Sequence, residues 1–122
     1  MNVGNALRVG ESVRSALLSS GYVTAIIGNG VYPYTTQVEV SRPHVVYDGI
    51  NVVYGDTKDG VYCDYVELSV HCNASEYGVG IGLTTGVVDV LLEYGARVVS
   101  VGCDFDSSLG VYVHTINIVI DL

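Results

Sequence analysis

Apolar and polar positions along this 122-residue chain follow a helical period first and a strand period next, and each rhythm then returns once. Leu7, Val13, Leu17 and Leu18 fall roughly on one side of an N-terminal helix that Asn5 is placed to cap. Ser19-Ser20-Gly21 is its expected stop. Tyr22 to Ile27 then carry apolar side chains into Gly28-Asn29-Gly30, a turn whose glycines permit positive φ, and a strand starts at Val31. His44 to Tyr54 and Val61 to Cys72, rich in Val, Ile and Tyr, flank the hairpin-like stretch Gly55 to Gly60 and predict an antiparallel pair. In the second of these, Tyr62, Val66, Leu68, Val70 and Cys72 share the face expected to be core, interrupted by Asp64, and the alternate residues Cys63 to Asn73 share the other.

A second helix is expected from Glu76 to Tyr94, capped by Ser75 and stopped by Gly95, with Val87, Val88, Leu91 and Leu92 packed. Gly78, Gly80, Gly82 and Gly86 together cost it on the order of 3 to 4 kcal/mol relative to alanine. Either close approach to the sheet or a neighbouring subunit offsets that cost, or a frayed first turn avoids it. The last segment alternates most cleanly: Tyr112, His114, Ile116, Ile118, Ile120 and Leu122 lie on one face. It should pair with Ala96 to Phe105 across the turn Asp106 to Gly110. The fold class that follows is α+β, a mostly antiparallel sheet of four or five strands with two helices packed on one face, and the length suits a single domain spanning residues 1–122.

Charge and cysteine usage narrow the function. Five Lys and Arg stand against thirteen Asp and Glu, a net charge of −8, so a phosphate backbone would be repelled and direct nucleic-acid binding is not expected. No apolar run approaches the roughly 20 residues that span a bilayer, and the N-terminus lacks a secretory signal pattern, so a soluble, intracellular protein with no membrane association is expected. Three cysteines without tight spacing suit buried thiols in a reducing compartment.

Three chemical constellations fail on spacing. Gly78-Val79-Gly80-Ile81-Gly82 follows a strand and opens a helix, but its third glycine comes one residue too early for a dinucleotide fingerprint, and no Gly-Lys-Ser/Thr follows. His71 and Cys72 point to opposite faces, while Cys63 and His71 lie about 26 Å apart along one strand, which excludes them from a common metal site whose ligands sit near 2 Å. His44, His114 and Cys103 complete that inventory without improving it. Asp104, Asp106 and Ser108 mimic the start of a calcium loop, yet Leu109 and Thr115 stand where glycine and a bidentate glutamate are needed, so a polar turn is the reading. No nucleophile elbow is present, and Asp56 and Asp59 sit where they solvate a turn. No catalytic residue, cofactor or metal is therefore expected. Ten tyrosines remain, of which Tyr32, Tyr34, Tyr47 and Tyr54 flank loops and suit interfaces, whereas Tyr62 and Tyr112 read as half-buried strand residues.

Several short signatures occur in a telling order: Leu17-Leu18 on the leading helix, Ile26-Ile27-Gly28, Val31-Tyr32-Pro33, Arg42-Pro43-His44-Val45-Val46-Tyr47, the strand Tyr65 to Cys72, a helix after Ser75-Glu76-Tyr77, and a last strand ending at Leu122. This order resembles the tail-completion, or tail-terminator-like, proteins of long-tailed bacteriophages and prophages. The glycine-rich second helix departs from that pattern. The resemblance implies a structural virion protein, made in the host cytoplasm, that forms a ring, commonly hexameric, capping the tail tube and joining tail to head. Its implied partners are further copies of itself, the tail tube protein and a head connector protein. A head-tail connector adaptor shares that class, and a small anion- or nucleotide-binding or enzymatic α+β domain using the Gly78 to Gly82 helix start is the alternative from a different class. Under the structural reading, the excursions Thr35 to Arg42 and Gly55 to Gly60 are the expected contact segments, with Gln37, Glu39, Arg42, Asp56, Thr57, Lys58 and Asp59 as candidate assembly residues.

Overall fold

A computed structural model describes residues 2–34, 42–57 and 60–122. The elements run α1 (Val3–Leu7), α2 (Val9–Leu18), α3 (Gly21–Ile27), β1 (Val31–Pro33), β2 (His44–Thr57), β3 (Gly60–Ala74), α4 (Tyr77–Tyr94), β4 (Arg97–Asp106) and β5 (Val111–Asp121). The five strands form one sheet in the order β1-β2-β3-β5-β4. All pairs are antiparallel except β1 with β2, so the sheet is mixed, in keeping with the α+β, mostly antiparallel expectation. The parallel pair needs a connection that reverses the chain, and residues 34 to 43 supply its length.

The two-helix expectation needs correction at the N-terminus. Arg8, with φ −87° and ψ 4°, breaks the first helix into α1 and α2, which together stand for the single helix expected there. Asn2, not Asn5, is the cap: its side chain accepts from the Asn5 N–H at 2.8 Å. Ser20 ends nothing; its hydroxyl accepts from the Val23 N–H at 3.3 Å and caps a further helix, α3, where the sequence reading had only an apolar approach to the turn. α3 buries Val23 and Ile27, and Gly28, at φ 62° and ψ −125°, turns the chain into β1 in a backbone region open only to glycine. At α4 the cap position is Glu76, not Ser75, and it makes no side-chain cap bond, while Gly95 ends the helix in the left-handed region as expected.

The helices cover one sheet face. Val66, Leu68, Val70 and Cys72 of β3 and His114, Ile116, Ile118 and Ile120 of β5 point into the core against Leu17 of α2 and Leu83, Val87 and Leu91 of α4. From Val66 to Cys72 and from His114 to Ile120 the faces match the predicted alternation. Tyr62, expected in the core, is exposed and Cys63, expected opposite, is buried, because the register shift beside Asp64 exchanges the faces; Leu122 is exposed as well. The glycines of α4 resolve in favour of close packing. A methyl group at Gly80 would lie 2.9 Å from the ring of His114, and at Gly86 it would run into the ring of Tyr22, whose hydroxyl donates to the Gly82 carbonyl at 3.2 Å. The strands β2 and β3 also run further than expected, to Thr57 and from Gly60.

Candidate functional site

The two edges of the sheet are finished differently. β1 is three residues long and ends in Pro33, which has no N–H to offer. Its pairing alternates so that Gly30 and Tyr34 bond to β2, which turns Val31 to the outer side; there its N–H donates to the Asn29 carbonyl at 2.9 Å and its carbonyl accepts Arg14 Nε at 3.1 Å. This edge is closed to another strand. β4, at the other end, has ten residues, no proline and a register shift between Val98 and Ser100 as its only irregularity.

The register carries Val98, Val101, Cys103 and Phe105 onto the face that α4 covers over β3 and β5. The cover stops short of the edge. Phe105 is 51% exposed and Val101 49%, although the same face is fully buried two strands away at Val70. Phe105 packs on Tyr112 at 4.8 Å between ring centroids, and Tyr112 on Tyr77 of α4 at 5.1 Å, so aromatic rings continue the patch across onto the helix. Ile81, one turn along α4, is likewise exposed.

His114 forms the floor of this region. It is 6% exposed, lies under Gly80, and its Nδ1 has no hydrogen-bond partner. Burial pushes its pKa below the ordinary 6.5 because a charged imidazolium would lose its hydration there. The unfolded chain therefore takes up the proton first as pH falls below 6.5, and the fold loses stability from that pH down through the folded-state value, by at most about 1.4 kcal/mol per pH unit. Urea midpoints at pH 7.5 and 5.5 should accordingly differ more for the natural protein than for His114→Gln. An equal difference in both would mean that His114 carries none of the acid sensitivity.

The opposite sheet face is polar and internally paired. His71 bridges two neighbouring strands: its Nε2 is hydrogen-bonded to the Asp48 carboxylate at 2.8 Å and its Nδ1 to the Thr115 hydroxyl at 2.9 Å. Ser69 donates to Asn117 at 2.7 Å, and Asn117 donates onward to the Ser100 hydroxyl at 2.9 Å. Arg97 holds Asp121 through two bonds of 2.9 and 3.0 Å. These side chains satisfy one another across strands, the arrangement of a water-facing sheet surface.

The other predicted residues are dispersed. Asp106 accepts from the Ser108 hydroxyl at 2.6 Å and from the Leu109 N–H at 3.2 Å, which holds its carboxyl below the usual carboxylate range and makes 106–110 the polar turn expected. Among the described residues no three His, Cys, Asp or Glu are placed to hold a metal ion. Tyr47, expected at an interface, is instead core, 5% exposed with its ring against Gly10, whereas Tyr34 and Tyr54 are exposed. Gln37, Glu39, Lys58 and Asp59 lie outside the described residues. Asp56 and Thr57 end β2, paired in register with Val61 and Gly60. Arg42 precedes the other end of that strand, on the order of 40 Å away along an extended chain. Arg42 and Asp56 thus lie on separate parts of the surface. Arg42 is exposed and, with Ile27, Gly28, Gly30, Tyr32 and Pro43, lines a hollow of about 190 Å³ beside β1. The sequence reading overlooked the uncovered face of β4; the only sign of it was that Arg97 to Asp106 lacks the strict alternation of β5.

No protein-family model matches this chain, and no curated protein matches it. The fold itself occurs in a virion. A chain of the solved structure described as the virion of a native gene transfer agent (GTA) particle superposes with a TM-score of 0.79, over 93% of this chain and 92% of that one. The two sequences are 11% identical, so the likeness to the GTA virion chain is one of fold. It extends over nearly the whole of both chains, so it takes in the mixed sheet and its helical cover together. No helix among the described residues is long and apolar enough to cross a membrane.

Proposed function

We propose that this chain is a structural virion protein, without catalytic activity, that assembles as a ring at the end of a tail tube and takes part in joining tail to head. The observation that carries the reading is the near full-length fold match to the GTA virion chain. The order of sequence signatures resembling tail-completion proteins points the same way. Two features of the surface support an assembling role. An aromatic patch stands half exposed beside an open strand edge, which a chain working alone would more economically bury, and the polar groups of the open face are spent on one another. The partners are further copies of the chain, the tail tube protein and a head connector protein. Gln37, Glu39 and Arg42 on one excursion, and Asp56, Thr57, Lys58 and Asp59 on the other, are the proposed contacts, and the distance between Arg42 and Asp56 suits two different neighbours.

Light scattering and negative-stain images of the purified protein test the ring. The expected species is closed and discrete, about 78 kDa for six copies of 13.0 kDa. A monomer whose melting temperature rises with phosphate or nucleotide would overturn the reading in favour of an anion-binding domain.

A further inference from the structure

β4 is open where β1 is closed. It has a strand neighbour on one side only, and from Ser100 to Asp106 its register with β5 is unbroken. Along these residues Val101, Cys103 and Phe105, all exposed, face the shelf that α4 leaves uncovered, while Ser100, Gly102, Asp104 and Asp106 face the other way. A strand added at this edge needs apolar side chains at every second position and polar ones between.

Residues 35–41, outside the described residues, have that pattern in sequence: Thr36, Val38 and Val40 alternate with Gln37, Glu39 and Ser41. The positions flanking them lie at the β1 side of the sheet. The Tyr34 N–H donates to the Tyr47 carbonyl at 2.7 Å, and Arg42 stands two residues before β2. Eight Cα steps join Tyr34 to Arg42, about 27 Å at full extension, so no residue between them can lie more than about 14 Å from the nearer end. A strand beyond β4 would be four spacings from β2 and five from β1, about 19 and 24 Å. The segment therefore cannot pair with β4 of its own copy.

We infer that residues 35–41 of one copy add as a strand to the β4 edge of the next, with Val38 and Val40 on the shelf beside Val101, Cys103 and Phe105. The inference rests on the ring reading and names the contact that would close it. Backbone hydrogen bonds supply the attraction, and the alternating side chains fix the register, because a slip of one residue would turn Val38 and Val40 to the polar face. The contact needs no ion pair: residues 35–41 carry Glu39 as their single charge. A segment leaving one end of the sheet and an open edge at the other are different surfaces, and contacts between different surfaces propagate around a ring.

Disulfide mapping in the full chain tests the register. Cys63 and Cys72 are buried, so Cys103 is the exposed thiol. Directly opposed strand residues have Cα atoms about 4.5 to 5.5 Å apart, within the span of a disulfide, whereas diagonal ones at about 7 to 8 Å are not. Thr36→Cys, Gln37→Cys, Val38→Cys, Glu39→Cys and Val40→Cys are made singly, oxidised mildly and run on non-reducing gels. Disulfides between copies should form at one even-numbered position at least about tenfold faster than at 37 or 39, and should vanish when Cys103→Ser is added. Equal rates at all five positions, disulfides within single copies, or Cys103 dimers of the natural protein at the same rate, which would mark symmetric β4 pairing, would each overturn the inference. Sedimentation reads the energy. Val38→Pro and Phe105→Glu, checked by thermal melts, should each raise the dissociation constant at least about 30-fold and, mixed, form a dimer that grows no further, because each retains the half the other has lost. If Phe105→Glu does not fold, Val101→Lys takes its place. A mixture that stays monomeric, or a natural protein monomeric at several hundred micromolar, would also overturn the inference. Negative-stain images read ring closure separately: the expected disulfide pattern in open polymers would keep the contact and remove the ring, and rings of Val38→Pro would keep the ring and remove the contact.

Discussion

Gly10→Ala should destabilise the fold by about 3 kcal/mol, although alanine is the better helix former by roughly 1 kcal/mol. Gly10 lies buried in α2, and a methyl carbon there would sit 2.9 Å from Cδ2 of the Tyr47 ring and closer still to Cε2. The ring cannot retreat. Tyr47 belongs to the core cluster and its strand is held on both sides, by β1 and by β3. Either the ring leaves its rotamer or α2 lifts from the sheet, and both loosen the packing of Val13 and Leu17 beyond it. Denaturant unfolding of a double-mutant cycle isolates the cause: with Tyr47→Ala in place, the same Gly10→Ala change should become neutral or mildly stabilising. A similar cost in both backgrounds would locate the penalty elsewhere than in the glycine–tyrosine contact.

Leu91→Ala should cost about 3 kcal/mol and Leu92→Ala less than about 1 kcal/mol, though the two are adjacent and chemically identical. Leu91 is fully buried within the core cluster, and its truncation leaves a cavity against the sheet. Leu92 is 53% exposed and has little packing to lose. The sequence reading placed both in the packed half of the helix, and the structure corrects it for Leu92. Equal urea midpoints for the two variants would mean that α4 is rotated from the orientation described here.

That pair shows where one-dimensional information ends. A helix rich in glycine and apolar on nearly every side has no strong polar face, so periodicity cannot choose its buried stripe; contact with Val23, His114 and the sheet chooses it. α3 was missed for a related reason. Its sequence Gly-Tyr-Val-Thr-Ala-Ile-Ile has the β-branched content of a strand, and it is helical because Ser20 caps it and Val23 and Ile27 reach the core in that form. Tyr47 read as an interface residue because it neighbours a loop, and only the approach of a side-chain-free position 37 residues earlier puts it inside.

Although the exchange of faces at Tyr62 and Cys63 came from a register shift against β2, by itself the sequence determined β5 and the Val66 to Cys72 part of β3 with their core faces, the polar turn between β4 and β5, the end of α4 at Gly95 and the α+β class. These rest on period-two alternation and on turn chemistry, which act between residues close in the chain. Tertiary structure alone decided that β1 runs parallel to β2 behind a closed edge, that Gly10 and Gly80 are spaces for a tyrosine and a histidine, and that the helical cover ends before β4. Those outcomes depend on which surfaces meet across the fold, and contacts between residues far apart in sequence leave no periodic trace along it.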